Sequence, residues 1–131
     1  MKRIVAVILA LVIGANGLAM LFAGQWWYGA VPGVTETGPY NPHFVKDIGA
    51  AYLVVAAALV WRVLRPLAAQ GAVIAGAGFL VVHALIHVVD ELSGPNALGE
   101  FTRDFGGVFL PAILAAWIAW PSRSHSAQGD A

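Results

Sequence analysis

Cysteine is absent from the 131 residues. That removes disulfides, thiolate metal sites, iron–sulfur clusters and cysteine nucleophiles from consideration. Charge is nearly as scarce: Asp, Glu, Lys and Arg make up 11% of the chain, against roughly a quarter in soluble domains. The 7 basic and 7 acidic residues cancel to a formal net charge of zero, so no global basic surface exists for nucleic acid. There is no P-loop, no dinucleotide fingerprint, no G-x-S-x-G and no serine placed beside a histidine, so nothing marks a kinase, dehydrogenase or hydrolase. Apolar residue is what the chain has in quantity, 60% of it, with a mean hydropathy of +0.77. This is the composition of a membrane protein, with length for one small helical domain and no separate soluble one.

Four apolar runs follow one another, near residues 4–24, 42–64, 71–92 and 105–120. Each is close to the ~20 residues needed to cross ~30 Å of hydrocarbon. Met1-Lys2-Arg3 resembles the start of a signal peptide, but the run behind it is too long for a signal h-region and lacks a good cleavage site. It reads as an uncleaved span. Asn41 is placed to cap the second helix and Pro42 suits its first position, where the missing N–H costs nothing. Pro66 ends that helix, Ser93-Gly94-Pro95-Asn96 closes the third, and Pro111 implies a kink or tilted entry in the fourth. Residues 1–121 form one transmembrane domain, and 122–131 read as a flexible cytoplasmic tail. The expected fold is all-α: a four-helix transmembrane bundle with an ordered outer loop between spans one and two.

Lys2, Arg3, Arg62, Arg65 and Arg123 fall on one side of this arrangement, and Lys46 and Arg103 on the other. The positive-inside rule then puts both termini in the cytoplasm. The acidic residues Glu36, Asp47, Asp90, Glu91, Glu100 and Asp104 gather outside. The outer loop opens on Trp26-Trp27-Tyr28, an interfacial aromatic belt. It continues through the turn pairs Pro32-Gly33, Gly38-Pro39 and Asn41-Pro42.

The segment HALIHVVDEL carries the chemistry. His83, His87 and Asp90 stand at i, i+4 and i+7, one face of a helix that otherwise reads as apolar. Ionisable groups in a bilayer are costly and mark function by default. His43 and Asp47, also i and i+4, open the preceding span. At 1.5 Å per residue, Asp47 lies about 9 Å inside that span, and His87 and His83 lie about 7 and 13 Å below the exit of the next. The two polar faces are therefore expected to meet in the outer third of the membrane. Asp90 and Glu91 also sit at a helix C-terminus, where acidic groups are disfavoured. They require a cation: Arg103, Lys46, a protonated histidine or a metal ion.

Three imidazoles and two carboxylates without thiolates suit one transition-metal ion, Cu, Zn or Fe. The expected ligands are His43, His83 and His87, with Asp47 and Asp90 as ligands or as groups orienting the imidazoles. Three other readings compete: hydrogen bonds that only fix the helix register, a proton or ion relay, and a haem held by His43 and His87. The relay would need an oligomer, and the haem would leave His83 over. Arg103 and Lys46 are the candidate groups for an anionic ligand on a lipid or quinone-like molecule, with an Arg103 salt bridge to Asp90 or Glu91 as the plainer reading. Asn16 reads as an interhelical hydrogen bond between Gly14 and Gly17, and Gly71, Gly76 and Gly78 as a packing or dimerisation face.

The stretch WYGAVPGVTETGPYNPHFVKDIGAAYL, Trp27 to Leu53, carries Trp27-Tyr28, Val31-Pro32-Gly33-Val34, Thr37-Gly38-Pro39, Asn41, His43-Phe44 and Asp47-Ile48-Gly49. It resembles a segment of small bacterial inner-membrane proteins of about four spans. The resemblance covers about a fifth of the chain. It implies a multi-pass protein of the bacterial inner membrane and singles out His43 and Asp47, but brings no activity with it. The expectation is a small integral membrane protein with a periplasm-facing His/Asp metal site. The alternative is a non-catalytic accessory or assembly subunit, in which the cluster serves helix packing. Expected partners are the lipid bilayer and either a larger membrane complex or further copies of the chain, without nucleic acid.

Overall fold

The computed structural model describes residues 1–121; the tail expected at 122–131, with Arg123 and His125, lies outside the described residues. Helix α1 spans Lys2–Phe22, α2 Gly24–Ala30, α3 Pro42–Leu64, α4 Gln70–Ser93, α5 Ala97–Asp104 and α6 Leu110–Ala119. A π-helical turn over Phe105–Phe109 joins α5 to α6. The fold is all-helical, and four helices are long and apolar enough to cross a membrane: Lys2–Phe22, Pro42–Leu64, Gln70–Ser93 and the continuous Ala97–Ala119. Their outer surface is apolar, with Ile8, Leu11, Val54, Val82, Leu85 and Ile113 all exposed. Water would penalise such a surface over a whole bundle, and hydrocarbon does not.

Local chemistry sets the ends. The Asn41 side chain accepts from the backbone N–H groups of His43 and Phe44, both at 3.1 Å, and Pro42 occupies the first turn. This is the cap the sequence specifies. The fourth helix begins eight residues before the expected position 105. Gly94-Pro95-Asn96 turns the chain at once, and the polar run Glu100–Asp104 continues as helix, where hydropathy alone reads a loop. The π turn follows from Gly106-Gly107 and Pro111. Proline has no N–H to return to residue 107, so the ladder widens before it, with the Leu110 N–H donating to Phe105 O.

Packing places α1 along α3 and α4 along α6. Small residues let the backbones approach: a Cβ on Gly17 would lie 2.8 Å from the Gly49 carbonyl oxygen, and one on Gly49 would lie 2.8 Å from Met20 Cβ. The core is correspondingly rich in alanine, with Ala6, Ala10, Ala56, Ala77, Ala112 and Ala115 around Leu59, Val73 and Ile118. Without a hydrophobic drive between helices in lipid, such close packing supplies most of the association energy. Asn16 acts as expected of a bundle amide: its Oδ1 accepts from Trp27 Nε1 at 2.8 Å, folding α2 back along α1.

Lys2 Nζ donates to Trp120 O at 2.6 Å and Gln70 Nε2 to Ala119 O at 2.7 Å. The start of α1, the start of α4 and the end of α6 thus share one end of the bundle. The opposite end holds the α4–α5 turn, the α2–α3 connection and, among the described residues, the acidic side chains Glu36, Asp47, Asp90, Glu91, Glu100 and Asp104.

Candidate metal centre

The inward stripe of α4 runs Val73, Ala77, Leu80, Ala84 and then Glu91, all buried, with His87 half-buried between the last two. These steps of three and four residues keep one helical face turned to the core. The stripe changes character over its last two turns, from apolar to ionisable. Asp104 meets it from the end of α5 and is also buried.

His87 Nδ1 stands 2.8 Å from Asp104 Oδ2 and 3.9 Å from Glu91 Oε1. One donor atom from each of His87, Glu91 and Asp104 lies within 4.8 Å of the other two. Their side chains are 29%, 3% and 9% exposed. Arg103 turns back onto Asp104, with Nε donating to Oδ1 at 2.7 Å and Nη2 to Oδ2 at 3.3 Å. Its third contact is Nη1 to Glu36 Oε2 at 3.0 Å, in the α2–α3 connection.

Glu91 is the unsettled member. It is 2% exposed, and among the described residues neither of its carboxylate oxygens has a hydrogen-bond partner. An ionised carboxylate buried without a partner costs several kcal/mol. Glu91 and Asp104 together carry two negative charges when ionised, and Arg103 returns one. The helix C-terminus at Ser93 adds to the imbalance. One more positive charge is needed beside Glu91: a proton on the cluster or a metal ion.

The donor set fits a metal. Ligands about 2.1 Å from Zn²⁺ stand roughly 3–3.5 Å from one another, and the 2.8 and 3.9 Å separations around His87 bracket that range. One imidazole and two carboxylates suit Zn, Fe or Mn better than Cu(I). His83 flanks the cluster, with its ring centroid 4.8 Å from that of His87 and stacked on Phe79 on its other side. Tyr52 meets both Phe79 and His83 edge-on. Below Tyr52 the interior is apolar, lined by Val55, Leu59, Val73 and Ala77. The ionisable groups of α4 and α5 thus gather at one end of the bundle, with an apolar interior beyond Tyr52.

The structure brings only part of the sequence-predicted set here. His87 is at the centre and His83 beside it. Asp90 is not in the cluster: it points outward and lines a shallow surface groove with Val82, Leu85, Ile86 and Val89. Its neighbour Glu91, 100° further round the helix, takes the inward place. His43 and Asp47 pair with each other at 3.4 Å, their side chains 90% and 61% exposed. The buried stripe of α3 is Val45, Gly49, Tyr52, Ala56 and Leu59, and His43 and Asp47 lie on the opposite side with Ala50 and Val54. Lys46 is likewise exposed. Arg103 pairs with Asp104 and Glu36, not with Asp90 or Glu91. Asp104, grouped in the sequence only with the outer acidic residues, closes α5. The signal that could have found it is Arg103-Asp104 lying within one helical length of the turn, opposite the end of α4.

Compared with protein-family models, curated proteins and solved structures, the chain has no match.

Proposed function

We propose that this is a small integral membrane protein that binds one divalent transition metal through His87, Glu91 and Asp104, near the outer face of the membrane. The observation that carries the reading is the buried Glu91 carboxylate, which has no partner while its oxygens stand among the donors of His87 and Asp104. The apolar interior beyond Tyr52, with Val55, Leu59, Val73 and Ala77 buried, supports a binding site over a through-going relay. Lys2, Arg3, Arg62 and Arg65 cluster at the end opposite the site, which supports cytoplasmic termini and a periplasm-facing metal. The resemblance of Trp27–Leu53 to bacterial inner-membrane proteins supports that membrane as the location.

His87 supplies the imidazole through Nδ1, the atom that now donates to Asp104. Loading a metal there would require that proton to leave. The metal would supply Lewis acidity or a redox couple to a ligand reaching it from the outer side. The chain's own part is to hold the donors and to bar water from below.

The accessory-subunit reading keeps one specific observation in its favour: Arg103 already neutralises Asp104. X-ray absorption on protein loaded with Zn(II) separates the two. The metal reading requires one imidazole and carboxylate oxygens at about 2.0–2.2 Å, with the imidazole signal lost in H87A. A spectrum of hydrated zinc, unchanged by H87A, would favour the packing role.

A further inference from the structure

Asp104 has two suitors in this geometry. Its Oδ2 is shared between His87 Nδ1 at 2.8 Å and Arg103 Nη2 at 3.3 Å, and its Oδ1 takes Arg103 Nε at 2.7 Å. The same guanidinium already holds a second carboxylate, Glu36, at 3.0 Å through Nη1. Glu36 ends a short 3₁₀ turn, Val34–Glu36, that starts from Gly33. Gly33 has φ +84°, and a Cβ there would lie 2.6 Å from Arg103 Cζ and 2.7 Å from Nε. The connection between α2 and α3 therefore brings its backbone against the guanidinium at Gly33, whose φ of +84° favours glycine. Glu36 is 71% exposed, so it gains little from this contact by itself. Asp104, at 9%, is the more buried of the two carboxylates that Arg103 holds.

We infer that Arg103 is a built-in competitor for the metal site: a divalent ion entering at His87, Glu91 and Asp104 displaces the guanidinium from Asp104, and Glu36 retains it. This regulatory role rests on the metal reading above. It follows from charge: a divalent ion on Oδ2, the oxygen facing His87, would repel the Nη2 group that stands 3.3 Å from that same oxygen and weaken the guanidinium's hold on Asp104. The Nη1–Glu36 contact gives the displaced cation a partner already in hand, toward solvent. Occupancy is thereby set against an internal cation and not against protons alone.

The test is metal affinity in a double-mutant cycle, measured by equilibrium dialysis of the full chain in detergent against Zn(II) and Mn(II). R103Q is expected to bind about tenfold more tightly than wild type, and E36Q to bind several-fold more weakly, because Arg103 then falls back on Asp104. The decisive member is R103Q/E36Q. If Glu36 acts through Arg103, the double variant binds like R103Q. A simple surface-charge effect would instead weaken binding as much as E36Q does alone. Equal effects of E36Q in both backgrounds, or no tightening in R103Q, would overturn the competitor role while leaving the metal site standing. No binding in wild type and R103Q alike would overturn both. Should R103Q fail to fold in a thermal melt, R103K keeps the charge but loses the planar fork, and a modest tightening is the expected result, with none as the contrary one.

Discussion

His87 and Glu91 sit one helical turn apart on α4, with Nδ1 and Oε1 separated by 3.9 Å. That pair joins a half-buried imidazole to a carboxylate that the rest of the described protein leaves unpartnered. The arrangement is unfavourable without a further positive charge, and several expectations follow from that imbalance.

Glu91→Leu removes the buried carboxylate. In the presence of chelator the variant should be more stable than wild type, by about 1–4 kcal/mol. With saturating Zn(II) the order should reverse, because only wild type gains stability from binding. Thermal melts in detergent, with and without metal, read both arms. A variant less stable than wild type under chelator would mean that Glu91 is satisfied within the bundle.

Metal affinity should fall as pH is lowered. His87, Glu91 and Asp104 bind metal only after losing their protons, so protons compete for each donor and weaken binding on the acid side. Zinc dialysis at pH 7.5 and 5.5 should show weaker binding at the lower value, and zinc added to weakly buffered protein should release protons. Affinity independent of pH would remove these groups as ligands.

His43 and Asp47 form their own exposed pair on the far side of α3. H43A/D47A should therefore leave zinc stoichiometry and affinity at the wild-type level in the same dialysis. A large loss of affinity would mean that α3 turns this face toward the site when metal is present.

Two substitutions probe the scaffold. N41A removes the acceptor for two backbone N–H groups at the start of α3 and should cost about 1 kcal/mol. G49L forces a side chain against Met20 and the Gly17 carbonyl and should cost about 1–3 kcal/mol or more. Thermal melts should rank G49L below N41A and both below wild type. A G49L protein as stable as wild type would mean that α1 and α3 are not held at this distance.

Most of the scaffold was legible because bilayer-length apolar runs have few alternatives. The cap at Asn41-Pro42 was legible because both residues have a single good use at a helix start. The site was legible only in outline. His83 and His87 mark a face, but i+3 and i+4 from His87 both continue it, so Asp90 and Glu91 are equivalent to a pattern reader. The packing of α4 against α6 chooses Glu91. Asp104 was hidden by its own polarity, which makes α5 look like a loop. His43 and Asp47 looked convergent because α3 and α4 are joined by a short turn. The glycine contact of Gly17 with Gly49 commits the other side of α3 to the core instead.

The metal content of the purified protein tests the central claim most directly. Elemental analysis of wild type after exposure to Zn(II), Fe(II) or Mn(II) should find close to one ion per chain, and E91Q/H87A, still folded by circular dichroism, should retain almost none. Metal absent from wild type after loading, or retained in full by the double variant, would contradict a metal centre at His87, Glu91 and Asp104.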